Sequence, residues 1–275
     1  MLILRKIVSK LVLISAVLYL LGCTYLYFNQ VNLIFFPEKL KHSYKYKLSL
    51  PHKEINFRTE DNAKLNGVLV KSALEGKPKG LIFFLHGNTG NIEDIDNQSV
   101  FYTDLGYDFF AIDYRSFGKS SGQLSDDKQF YDDCQQAYSE MEKKYPENEI
   151  SIIGHSVGTG TAAYLASKNR PKRLVLLAPY YSMTDIALNR YKVIPPFLLK
   201  FKFETFKFLP KVKVPIAIIH GTKDETIPFN SSKRLAGLLK AQDLFISISN
   251  FGHVDFETNA TFVKQMKRLL AFPTN

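Results

Sequence analysis

The sequence contains no tryptophan and only two cysteines, Cys23 and Cys134, in 275 residues. Two cysteines build no disulfide framework, and no Cys/His spacing suggests metal ligands, so no metal and no cofactor is expected. Cys134 falls on the apolar face of a predicted helix with Phe130, Ala137, Tyr138 and Met141, which suits a buried small hydrophobe. Internal repeats and low-complexity tracts are missing as well. Acidic residues are outnumbered, 26 Asp and Glu against 36 Lys and Arg, for a formal charge of +10. Such an excess invites nucleic acid, but no zinc-finger, helix-turn-helix or RNA-binding signature accompanies it. The lysines are spread along the chain and thicken around Lys192–Lys213. Attraction to anionic membrane is the more economical account, and no nucleic-acid partner is expected.

What is present begins with an uncharged run from Leu11 to Phe28, just long enough to cross a bilayer as a helix. Arg5, Lys6 and Lys10 precede it, and the next basic residue is Lys39. The positive-inside rule then puts the N-terminus in the cytoplasm and the rest of the protein on the extracytoplasmic side. A cleaved signal is the alternative. Leu20-Leu21-Gly22-Cys23 is similar to a bacterial lipobox, which would anchor a lipoprotein at Cys23. Leu21 fits that motif poorly, and the residues after Cys23 stay apolar. Residues 1–30 therefore read as a membrane anchor or signal, 31–51 as a basic connector, and 52–275 as the globular domain.

From Glu54 the pattern is that of strands. Glu54–Arg58 and Lys64–Val70 read as a hairpin, and Gly80–Leu85 as a strand buried on both faces. Strand Asp108–Asp113, helix Asp127–Lys144, strand Arg173–Ala178, strand Pro215–Ile219, helix Ser232–Lys240, strand Asp243–Ser249 and helix Thr261–Leu270 follow. Strands alternating with helices after a hairpin mean an α/β domain with a mostly parallel, doubly wound sheet.

The chemistry centres on Ile150–Gly160. A β-branched run ends in Gly154-His155-Ser156-Val157-Gly158, and helix formers follow. This is G-x-S-x-G between a strand and a helix, where Ser156 sits on a strained turn and Gly154 and Gly158 keep its flanks clear. A serine nucleophile needs a base, an orienter and oxyanion donors. Asp224, directly after strand Pro215–Ile219, is the candidate acid, with Glu225 behind it and a turn-capping role as its bland alternative. His253, after the last strand, is the candidate base. His86 and His220 sit in His-Gly turns and read as local hydrogen-bonding residues, while His155 should point away from the serine. The backbone N–H of Val157 and that of Asn88, in the turn after Gly80–Leu85, are the candidate oxyanion donors. The Asn88 side chain is not needed for that task.

With these residues laid out, the chain resembles the α/β-hydrolase superfamily, and within it the single-pass, membrane-anchored serine hydrolases. Phe35-Phe36-Pro37, His86-Gly87-Asn88-Thr89-Gly90-Asn91, Asp113-Tyr114-Arg115, the Ser156 turn, His220-Gly221-Thr222-Lys223-Asp224 and Gly252-His253 carry the resemblance. The order Ser156, Asp224, His253 matches as well. Ser116, where glycine is common, and His155, where arginine is common, depart from the pattern. The resemblance implies an eight-stranded-type sheet with a short helical lid at about 183–213, and hydrolysis of esters, acyl thioesters or lipid acyl groups. It leaves the substrate open, because peptidases share the scaffold.

Within that lid segment, phenylalanines from Phe197 to Phe208 alternate with Lys200, Lys202 and Lys207. They form either a cap packed on the core or an apolar entrance facing the membrane. The expected partners are a small acyl-ester or lipid substrate and a membrane. A serine peptidase is the enzymatic alternative, although no group for a peptide terminus is identifiable. A non-catalytic binding protein is the remaining class, and an intact Ser/Asp/His set argues against it.

Overall fold

Five runs of apolar residues, Leu81–Leu85, Asp108–Asp113, Ile150–His155, Arg173–Leu177 and Ile216–Gly221, lie side by side and are buried almost throughout. They are strands β3 to β7 of one eight-stranded sheet in a computed structural model that describes residues 1–72 and 74–271. The hairpin His52–Arg58 (β1) and Lys64–Val70 (β2) precedes them, and Leu244–Ile248 (β8) closes the far edge. Across the sheet the order is β8-β7-β6-β5-β3-β4-β2-β1. Only β2 runs antiparallel to its neighbours; every other pairing is parallel.

Alternation along each strand builds two cores. Leu81, Phe83 and Leu85 face one side, where helices Asp127–Glu142 and Gly158–Lys168 cover them. Ile82 and Phe84 face the other, with Tyr102, Phe262 and Met266. The helices are α1 (Leu2–Ile34), α2 (Asp96–Asp104), α3 (Asp127–Glu142), α4 (Gly158–Lys168), α5 (Met183–Arg190), α6 (Thr205–Phe208), α7 (Phe229–Ala236) and α8 (Ala260–Ala271). Helix α3 starts where the Asp126 carboxylate accepts the Gln129 N–H, and it buries Phe130, Cys134, Ala137, Tyr138 and Met141. Helix α7 lies three residues earlier than the sequence suggests. Pro228 sets its first turn and Gly237 stands at its end.

Helix α1 is longer than the apolar run within it. It covers 33 residues, and among the described residues it is the one helix long and apolar enough to cross a membrane, with a mean hydropathy of 2.1 over its best window. Cys23 lies inside it, and the helix continues for eleven residues beyond.

The stretch after α1 is folded against the domain instead of running free. Phe35 is 2% exposed and packs its ring against Phe117, Phe130, Phe201 and Phe203 at centroid distances of 5.1–6.4 Å. Burying such a ring contributes about 2–3 kcal/mol. Phe36 and Pro37 then pair in parallel with Thr89 and Gly90. The Tyr46 hydroxyl donates to Asn66 Oδ1 (2.8 Å) and to the buried Asp113 carboxylate (2.6 Å).

Residues 183–213, the segment expected to form a lid, hold α5, a 3-10 turn over Pro196–Leu198, and α6. Phe201 and Phe203 are fully buried beneath it, whereas Phe197 is 79% exposed. The lid phenylalanines therefore divide between a packed group and an outward one.

Candidate active site

Four strand ends deliver the candidate residues. Strand β5 runs into Ser156, which adopts φ = 51°, a left-handed conformation that costs a non-glycine residue on the order of 1–2 kcal/mol. The turn closes because its flanks lack side chains. A Cβ at Gly158 would strike the backbone of Leu85 and His86, and one at Gly154 would strike Gly158 and Ala162. The turn after β3 therefore lies directly against the Ser156 turn, and a Cβ on Gly87 would sit 3.7 Å from that of Ser156. Val157 precedes the first residue of α4, where amide groups have no acceptor within the helix.

The Ser156 hydroxyl donates to His253 Nε2 at 2.9 Å, and His253 Nδ1 donates to Asp224 Oδ2 at 2.6 Å. The structure thus brings the three candidates into one hydrogen-bonded line. Asp224 is saturated with donors. Its Oδ1 accepts the Thr226 and Ile227 amides, each at 2.8 Å, so the turn-capping role is real and coexists with the contact to His253. Its Oδ2 also accepts from His220 Nε2 at 3.0 Å. Burial would raise this carboxyl, but the bonds from His220 and His253 outweigh it and hold the group well below the usual carboxylate range.

Three features were beyond the sequence. The first is His220, fully buried, whose Nε2 meets two acceptors, Asp224 Oδ2 and the Ile227 carbonyl (3.1 Å). Both acceptors need a donor, so Nε2 carries the proton and donates to Asp224, while Nδ1 is buried without a partner. The second is His155. Its ring is not turned out of the site; it lies on the cavity wall 5.1 Å from the His253 ring, and Nε2 donates to the His253 carbonyl at 2.9 Å. Burial, with His253 adding its charge, lowers the His155 pKa to about 4. The third is the Asn88 side chain, whose Nδ2 donates to the Ile34 carbonyl at 2.6 Å, while the backbone carbonyl of Asn88 accepts the Phe36 N–H at 2.7 Å.

A cavity of about 470 Å³ opens over Ser156 and His253, with Phe84, Asn88 and His155 in its walls. Asp94, Asp255 and Glu257 line it too, which makes one part acidic. Burial raises the Glu257 pKa. His86, beneath the turn after β3, stacks on Tyr114 at 4.2 Å, and the Tyr114 hydroxyl donates to the His86 carbonyl at 2.9 Å. It supports the turn and does not contact Ser156. Glu225, the alternative acid, has no part in this line of bonds: the contact to His253 comes from Asp224.

The fold recurs in solved structures. A Pyrococcus furiosus esterase superposes with a TM-score of 0.65 at 21% identity, covering 86% of this chain and 95% of that one. An alpha-beta hydrolase from Vibrio vulnificus gives 0.65 at 22% identity over 78% and 80% of the two chains. The chain has the fold of the α/β-hydrolase superfamily. A family model described as "Serine aminopeptidase, S33" matches residues 76–207, a stretch that includes Asn88 and Ser156 and stops short of Asp224 and His253. Among curated relatives, alpha/beta hydrolase domain-containing protein 17C of Xenopus laevis is 29% identical over 225 residues, 78% of this chain and 68% of the relative. Human alpha/beta hydrolase domain-containing protein 17B is 29% identical over 203 residues, 70% and 67% of the two chains.

Proposed function

We propose that the protein is a serine hydrolase that cleaves carboxylic esters, acyl thioesters or lipid acyl groups beside a membrane. The observation that carries the reading is the unbroken line from Ser156 Oγ through His253 to Asp224 at 2.9 and 2.6 Å. In this reading His253 Nε2 takes the Ser156 proton as Oγ attacks the acyl carbon. The oxyanion that forms is met by the N–H groups of Val157 and Asn88, with the start of α4 adding its dipole. Collapse expels the alcohol or thiol, protonated by His253, and leaves an acyl-serine. A water deprotonated by the same imidazole then releases the acid and restores Ser156. Asp224, kept ionised by its four donors, holds the His253 tautomer and supports the imidazolium. Helix α1 would anchor the enzyme with its N-terminus in the cytoplasm and the domain outside, on the charge asymmetry of Arg5, Lys6 and Lys10. Attachment of a lipoprotein at Cys23 is the competing form of anchor.

A second reading is a serine peptidase acting at a free amino terminus. It is favoured by the acidic wall of Asp94, Asp255 and Glu257, which would suit an ammonium group, and by the name of the matched family model. One comparison separates the readings. The intact protein is treated with a fluorophosphonate probe alongside Ser156→Ala, then assayed on acyl esters of increasing chain length and on aminoacyl amides. Labelling of the wild type alone and turnover of the esters are expected. Equal labelling of both proteins would sink the nucleophile, and preference for the amides would move the enzyme to the second reading.

A further inference from the structure

We infer that residues Tyr191–Leu199 of the lid form an arm that enters the bilayer alongside α1, so that anchor and lid meet the lipid as one surface. The arm lies against the helix. The Tyr19 hydroxyl donates to the Val193 carbonyl at 2.8 Å, and Gln30, the buried residue of α1, donates to the Leu198 carbonyl at 2.7 Å. Gln30 Oε1 in turn accepts the Lys200 N–H at 2.8 Å. These contacts join positions more than 165 residues apart in sequence, and they place the arm beside the apolar part of α1.

The side chains at the arm's tip are the wrong kind for water. Val193 is 73% exposed, Phe197 79% and Tyr191 53%, and they continue the exposed apolar surface of α1. Part of the arm's backbone is satisfied without water. The amides of Ile194, Leu198 and Leu199 bond within the arm, and Pro195 and Pro196 have no N–H to satisfy. The carbonyls of Val193 and Leu198 are the two that α1 caps.

Charge sets the level. Lys200 Nζ stands 4.3 Å from the Tyr27 ring centroid and 5.8 Å from that of Phe28, an aromatic and basic cluster of the kind found at head groups. From Lys10, the last charge before the apolar run, to Tyr27 the helix rises about 26 Å, close to a hydrocarbon core of about 30 Å. Tyr19 lies eight residues below Tyr27, so the arm's tip reaches about 12 Å inward from that cluster. Lys192 is the charge next to the tip, and its flexible stem returns the ammonium toward the head groups. An apolar groove of about 310 Å³ between α1 and the arm, walled by Tyr19, Cys23, Tyr27, Pro195 and Phe197, is filled by a lipid chain in this setting.

The inference rests on the reading of α1 as a membrane anchor, and the test separates the two. The intact protein in a Cys23→Ser background, with Cys134 buried, receives one label site at a time: Phe197→Cys, Val193→Cys, Leu13→Cys in α1, or Lys233→Cys on the exposed face of α7. Each labelled protein is placed in phosphatidylcholine and phosphatidylglycerol vesicles, with or without chain-brominated lipid, and exposed to aqueous iodide. We expect brominated lipid to quench the fluorophore at 13, 193 and 197 and iodide to quench only that at 233. Quenching by lipid at 13 with iodide quenching at both 193 and 197 would overturn the arm and leave the anchor standing. Iodide quenching at all four positions would overturn both.

Discussion

The Asn88 side chain is bonded to the last carbonyl of the membrane-type helix: Nδ2 donates to Ile34 at 2.6 Å. The turn proposed to hold the oxyanion is thus tied to the end of α1, and the next backbone bond, Phe36 N–H to the Asn88 carbonyl, doubles the tie. Asn88→Ala keeps the backbone N–H but frees the turn. A loosened oxyanion donor costs about 2–3 kcal/mol at most, so kcat should fall by about tenfold or more with KM little changed. Steady-state kinetics on a soluble ester would check it, and an unchanged kcat would refute the role.

His220 shares the load on Asp224 Oδ2 with His253. With that donor removed in His220→Phe, more of the carboxylate's charge falls on His253, whose imidazolium is then favoured. The acid limb of the kcat/KM profile should move to higher pH, by up to about one unit. A purely structural histidine would lower activity or stability without moving the limb.

His155 is held neutral, with a pKa near 4, while histidine in an unfolded chain titrates near 6.5. Between these values the unfolded state binds a proton that the folded state refuses, so the contribution of His155 to stability shrinks as pH falls from 6.5 to 4. The stability advantage of wild type over His155→Asn should therefore narrow on acidification, by on the order of 3 kcal/mol at most. His86, also lowered to about 4 by burial, adds a parallel loss to both proteins. Asp113 works in the other direction. Burial raises it to about 6, so its penalty is relieved as pH drops through that value. Denaturant midpoints of the two proteins at several pH values would test the difference, and a gap that widens toward pH 4 would contradict it.

Gly158→Ala tests the fit of the Ser156 turn against the turn after β3. The new Cβ meets only backbone, at Leu85 and His86, which cannot rotate aside. A loss of about 3 kcal/mol or more is expected, with probe labelling lost from whatever protein remains folded. Normal labelling and a normal midpoint would show that the two turns can separate.

What the sequence made legible was local. Continuous apolar runs named the buried strands, glycines named the Ser156 turn, and position after a strand singled out Asp224 and His253. Each of those signals lies within a dozen residues. What escaped depends on distant partners. His220 bonds locally, as its His-Gly turn suggests, but that its acceptor Asp224 Oδ2 is shared with His253 shows only once the chain is folded. The Asn88 amide has no visible task until Ile34 lies beside it. Asp94 sits near α2 and Asp255 and Glu257 before α8, so nothing in their spacing shows that they line one cavity. Helix α1 outran its apolar run because Leu2–Lys10 and Asn29–Ile34 contain nothing to stop a helix, and hydropathy marks membrane thickness but not helix ends.

The seat of Phe35 also orders events in time. Its ring partners come from positions 117, 130, 201 and 203, the last of them 168 residues later in the chain. During synthesis α1 emerges long before those partners exist. On the proposal that α1 is a membrane anchor, the ring of Phe35 would wait, unburied, at the bilayer edge until residues 201 and 203 had been made. Insertion would then precede folding, and the domain would assemble onto a tether already fixed in place.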